Sequence, residues 1–158
     1  MKFTHDELTV LAEKWLLKRC GFAFRELSTD CGEIPDAIGF KECESILIEC
    51  KTSRQDFIAD RKKQFRAIPA AGVGRVRFYL CEKGLIMPED LPPKWGLIWV
   101  YESGQVRQKV GPKGDVWSKG SKFWFNKINV AGEMSLMYRA LRRMQIHGVL
   151  PLIYTYPQ

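Results

Sequence analysis

The chain has 158 residues, 46% hydrophobic and 27% charged, a balance that folds and that excludes disorder as the reading of any long segment. A chain of this length buries roughly two thirds of its unfolded surface, so a single domain over 1–158 needs no disulfide staple. Lys and Arg number 25 against 18 Asp and Glu, and the net charge of +7 suits a polyanionic partner, whose phosphates release counterions when neutralised, as well as plain solubility.

Thr4 and Glu7 form a capping-box pattern, and Leu8, Leu11, Ala12, Trp15 and Leu16 then recur at helical spacing up to Gly21. Strands are expected over 22–27, 34–40 and 45–51, with a polar loop and the turn KECES between them. Pro35 lies near the start of the second, where a missing amide is tolerated. Ser53 and Asp56 open a helix running to about 65, punctuated by Pro69, Gly72 and Gly74. Strands over 75–81 and 97–101 follow, and 105–110 pairs with the latter across the turn ESG. Residues 111–122 are rich in glycine and lysine and read as a mobile loop, and KFWFNKI after them fits a final strand that would bury Trp124. A helical extension begins at about 128, its helix covering 130–147 with Met134, Met137, Leu141 and Met144 as an apolar, core-facing stripe. This order predicts an α/β fold, one central mixed β-sheet flanked by helices.

The five cysteines (Cys20, Cys31, Cys43, Cys50 and Cys81) include no C-x-x-C pair, and the two histidines, His5 and His147, stand near opposite ends. A structural zinc site is not expected, and reduced thiols suit a cytoplasmic protein. The first residues lack the apolar core of a signal peptide, and no apolar run approaches the ~20 residues of a membrane span.

The chemistry concentrates in IPDAIGF and ILIECKTSRQDF. Asp36 and Glu49 come from neighbouring predicted strands. Alternation along a strand puts Glu49 and Lys51 on one face, Ile48 and Cys50 on the other. Two carboxylates and an ammonium at one sheet edge suit phosphodiester cleavage. Mg²⁺, or Mn²⁺ in its place, prefers oxygen ligands, which Asp36, Glu49 and the Cys50 backbone carbonyl can supply. A divalent ion makes water a better nucleophile, and Lys51 can orient that water or offset charge on the phosphate. Glu13 on the first helix is a further candidate for the site, and Glu33 is within reach of a metal there. The bland alternative pairs these charges as surface ion pairs, as expected for Asp56 and Asp60 one helical turn apart. Charge inside so apolar a strand is costly unless paired or functional, which favours a site.

Pro35-Asp36-Ala37 followed by Glu49-Cys50-Lys51, with a preceding helix carrying Glu13, resembles the motif of the PD-(D/E)XK nuclease superfamily. The stretch KTSRQDFIADRKK resembles a bacterial DNA-repair-associated branch of it. The resemblance spans about 4–110 and implies a restriction-endonuclease-like core, divalent-metal catalysis and hydrolysis of DNA, in repair, recombination or phage DNA processing. Gln55, Lys62, Lys63, Lys119 and Lys122 are the candidate nucleic-acid contacts, the last two beside Trp117, Phe123 and Trp124. A catalytically silent binding module and a subunit of a replication or repair assembly are the competing readings. A two-fold dimer would suit cleavage of both strands.

Overall fold

The structure, a computed structural model, describes residues 2–156. Helix α1 (His5–Leu17) starts at the capping box: the Thr4 hydroxyl accepts the Glu7 amide, and the Glu7 carboxylate accepts the Thr4 amide at 2.7 Å. Three strands follow, β1 (Phe22–Arg25), β2 (Ala37–Lys41) and β3 (Glu44–Lys51), then the short helices α2 (Arg54–Asp60) and α3 (Gln64–Ala67). Strands β4 (Val76–Glu82), β5 (Gly96–Val100) and β6 (Val106–Val110) precede the last α-helix, α4 (Val130–Ile146). All six strands form one sheet in the order β1-β2-β3-β4-β5-β6. The pairs β3–β4 and β4–β5 are parallel and the other three antiparallel, as a mixed sheet requires. The α/β class with flanking helices is therefore as expected.

Both faces of the sheet are covered. Leu8, Ala12, Trp15 and Leu16 of α1 pack on Ala37, Ile46, Ile48, Phe78 and Ile98. Approach of α1 to β2 depends on Gly39, where a Cβ would lie 2.6 Å from Cys20 Sγ. Phe57 of α2 and Leu136 of α4 cover the opposite face with Ile38, Leu47, Tyr79, Leu97 and Trp99. No helix among the described residues is long and apolar enough to cross a membrane.

Four sequence expectations need correction. Strand β2 begins at Ala37 rather than 34, because Glu33 is drawn out of line to bind Arg66 and the Val73 amide. The helix expected through 65 breaks after Asp60, where Lys62 and Lys63 make turn hydrogen bonds and Lys63 takes an extended conformation (ψ 144°). Residues 111–126 form turns and no strand: Val116, Trp124 and Phe125 are nonetheless buried, and the Phe125 amide donates to Arg75 O at 2.8 Å. Finally, the methionine stripe of α4 is core only in part, with Met137 packed against the buried cluster that holds Leu136. Met134 is 66% and Leu141 48% exposed, because the helix is anchored by Leu136 and by Glu133, which binds Ser45 and the Gly74 amide.

Candidate functional site

Strand β3 lies inside the sheet with helices over both faces, and every residue from Ser45 to Lys51 is buried. Such strands are ordinarily apolar throughout. Glu49 and Lys51 break the rule, and both project to the α2 side with Leu47, while Ile46, Ile48 and Cys50 face α1. The alternation expected for this strand is the one observed.

Asp36 stands one residue before β2. The register pairs Ala37 with Ile48, so its continuation sets Asp36 beside Glu49 at the end of the ladder. The strand supplies no further partner for the Cys50 amide there, and Asp36 Oδ2 accepts it at 2.7 Å. A residue's N–H and C=O point to the same side of a strand, so the Cys50 carbonyl is directed at this edge too. His5 comes in from the start of α1: its Nε2 is 3.2 Å from Asp36 Oδ1 and its Nδ1 3.6 Å from Glu26 Oε1.

Inward of this edge lies a buried ion network. Lys51 Nζ is 3.4 Å from Glu49 Oε2 and 3.4 Å from Asp60 Oδ1. The Arg66 guanidinium touches three carboxylates: Glu33 at 2.9 Å, Asp60 at 2.9 Å and Glu49 at 3.1 Å. Its contacts with Glu33 and Asp60 are directed hydrogen bonds. Its contact with Glu49 Oε1 is out of line for one, so that buried oxygen has only an electrostatic partner. Tyr79 donates to Asp60 at 2.8 Å, and Lys63 pairs with Asp60 from the surface at 3.0 Å.

The electrostatics follow from this crowding. Burial pushes the Glu49 carboxyl up to about 7, with Arg66 opposing the rise and Asp36 adding to it. Burial also acts on Asp60, but Arg66 and Lys51 outweigh it and hold that carboxyl well below its usual range. Lys51 is raised, burial being overcome by Glu49 and Asp60. Glu49 is therefore less well compensated than Asp60.

Asp36, Glu49 and the Cys50 carbonyl are oxygen donors of the kind a hard divalent ion takes, and Glu49 Oε1 is a buried carboxylate oxygen without a directed hydrogen bond, although both Glu49 oxygens lie against Lys51 and Arg66. Next to it, His5, Asp6 and Glu26 bring one ligand atom each within 4.8 Å of one another.

The other candidates separate. Glu13 is tied to Arg25 of β1 at 2.7 Å, so its carboxylate is spent on an ion pair rather than on the Asp36–Glu49 edge. Gln55 is exposed in the first turn of α2, and Lys62 and Lys63 are exposed beside Asp60, at the same end of the sheet as Lys51. Lys119 and Lys122 do not join them. Lys119 pairs with Glu44 at the other end of β3, roughly 20 Å away at ~3.3 Å per residue, and Lys122 stands by Lys109 and Gly111, near the start of β5. Asp60, expected as a surface acid, is fully buried. The spacing Phe57–Asp60 carried that signal, since residues three apart share a helix face. Arg66, Tyr79 and His5 had no comparable signal, because only the folded chain brings them near β3.

No protein-family profile matches the chain, and no curated protein does. Among solved structures it is similar to SPO1766 from Silicibacter pomeroyi, a protein of unknown function, with TM-score 0.60 and 19% identity over 94% of each chain. That likeness is one of fold alone.

Proposed function

We propose that this chain is a divalent-metal-dependent deoxyribonuclease of the PD-(D/E)XK type. The observation that carries the reading is the register that sets Asp36 beside Glu49 where the β2–β3 ladder ends, Glu49 being paired with Lys51 and having a buried oxygen that no hydrogen bond satisfies. The order of helix, three antiparallel strands, helical crossover and parallel strand is in keeping with it. Asp36, Glu49 and the Cys50 carbonyl are the residues that would hold Mg²⁺ or Mn²⁺. When bound, the ion supplies Lewis-acid charge and acidifies water. Asp36 is fixed for this role by the Cys50 amide and His5, which leave it little rotational freedom. Lys51 places positive charge beside Glu49, where it can offset charge developing on a phosphate. Lys62, Lys63 and Gln55, exposed at the same end, are the proposed backbone contacts for DNA. Repair, recombination or phage DNA processing is the setting this reading implies.

A cleavage screen with Mg²⁺ or Mn²⁺ over duplex, single-stranded, flapped and branched DNA tests it. Asp36→Asn and Glu49→Gln are expected to lose at least about a hundredfold in rate. A second reading, a nucleic-acid-binding module without turnover, has one observation in its favour: the Glu49 and Lys51 side chains are only 3% and 4% exposed and already engaged with each other. Salt-sensitive DNA binding by the wild type, with no cleavage of any substrate, would select that second reading over the first.

A further inference from the structure

Arg66 stands at the centre of the buried ion network, against Glu33, Glu49 and Asp60. Its guanidinium is 4% exposed and lies against the Trp95 ring, 5.1 Å from the centroid. Glu33 and Asp60 fix it by hydrogen bonds at 2.9 Å, and its remaining nitrogen lies 3.1 Å from Glu49 Oε1 without being aimed at it. That oxygen is the one left for a metal in the reading above. A guanidinium and a divalent ion cannot both sit on it without strong repulsion, since like charges a few ångströms apart in a buried site are poorly screened. Glu33 and Asp60 hold two nitrogens of a rigid planar group, so withdrawal of Arg66 from Glu49 requires a shift of the segment that carries it. No residue of α3 is fully buried, so little apolar packing opposes a shift of the segment.

We propose that Arg66 is a positioning residue that competes with the divalent ion for Glu49 and so sets how tightly the site holds metal. The proposal rests on the reading of Asp36 and Glu49 as metal ligands. Its test is Mn²⁺ binding to the whole chain, followed by the electron-spin signal of the free ion at mildly alkaline pH, where protons compete little for Glu49. Arg66→Gln is expected to bind Mn²⁺ about tenfold more tightly than the wild type, the scale of coupling between groups in direct contact. Adding Asp36→Asn should erase that gain. Equal or weaker binding by both Arg66→Gln and Arg66→Lys overturns the proposal. A purely structural arginine would change stability and leave affinity unchanged or lower. Should Arg66→Gln fail to fold, amide exchange of the wild type decides: Mn²⁺ should speed exchange across residues 61–68, and an unchanged rate overturns the proposal. Failure of the underlying reading looks different, because Asp36→Asn alone would then bind Mn²⁺ as the wild type does.

Discussion

Burial lifts the Glu49 carboxyl from an ordinary 4.5 to about 7, so the folded chain holds a proton there that the unfolded chain has released. The stability this group contributes is complete below about 4.5 and is lost as pH rises through about 7. Asp60 acts in the opposite sense: its carboxyl is depressed, and its contribution is lost on acidification below the ordinary 3.8. Denaturant midpoints in mildly acidic and mildly alkaline buffer should therefore fall with pH in the wild type, and fall less in Glu49→Gln. An equal slope in both would refute the assignment. Lys51 is a different case. It neutralises Glu49 and Asp60 from inside, so Lys51→Ala leaves buried charge uncompensated and should cost about 3 kcal/mol or more in urea unfolding. Loss of cleavage in that variant must be weighed against its lost stability, whereas Glu49→Gln removes charge without emptying the space.

Helix α4 is held at one end. Glu133 bridges the Ser45 hydroxyl and the Gly74 amide, and Leu136 is buried two turns from the helix start, while Met134, Tyr138 and Leu141 face outward. Leu136→Ala should cost about 2–5 kcal/mol, the range of a buried leucine that leaves a cavity. Met134→Ser and Leu141→Ser should stay within about 0.5 kcal/mol of the wild type by thermal or chemical unfolding. Helical periodicity identified this helix and its apolar stripe correctly as a pattern. It overstated how much of the stripe is buried, since Met137 packs on the core while Met134 and Leu141 are exposed, because periodicity reports a shared face and not what packs against it. The α2–α3 break escaped the sequence for a related reason. Residues 54–65 read as one helix, but the pull of Lys51, Tyr79 and Arg66 on Asp60 ends it early.

Across the whole molecule, the +7 charge divides into separate regions. Lys62 and Lys63 lie at the end of the sheet that carries Asp36 and Lys51, and Lys119 and Lys122 at the other. If DNA engages the proposed site, Lys62→Ala and Lys63→Ala should each weaken binding and reduce the salt slope by about 1, measured by fluorescence anisotropy. Lys119→Ala and Lys122→Ala should leave both nearly unchanged, and the reverse pattern would move the DNA surface to the opposite end. The residue sequence by itself determined the α/β class, the capping box of α1, and the sharing of one strand face by Glu49 and Lys51, because each follows from periodicity or alternation over a few neighbouring residues. Only the tertiary structure decided which partners those charges meet. Arg66, Asp60, Tyr79 and Glu33 come from separate segments, and Glu13 is lost to Arg25, since ion pairing inside a protein depends on distances that only the packed chain defines.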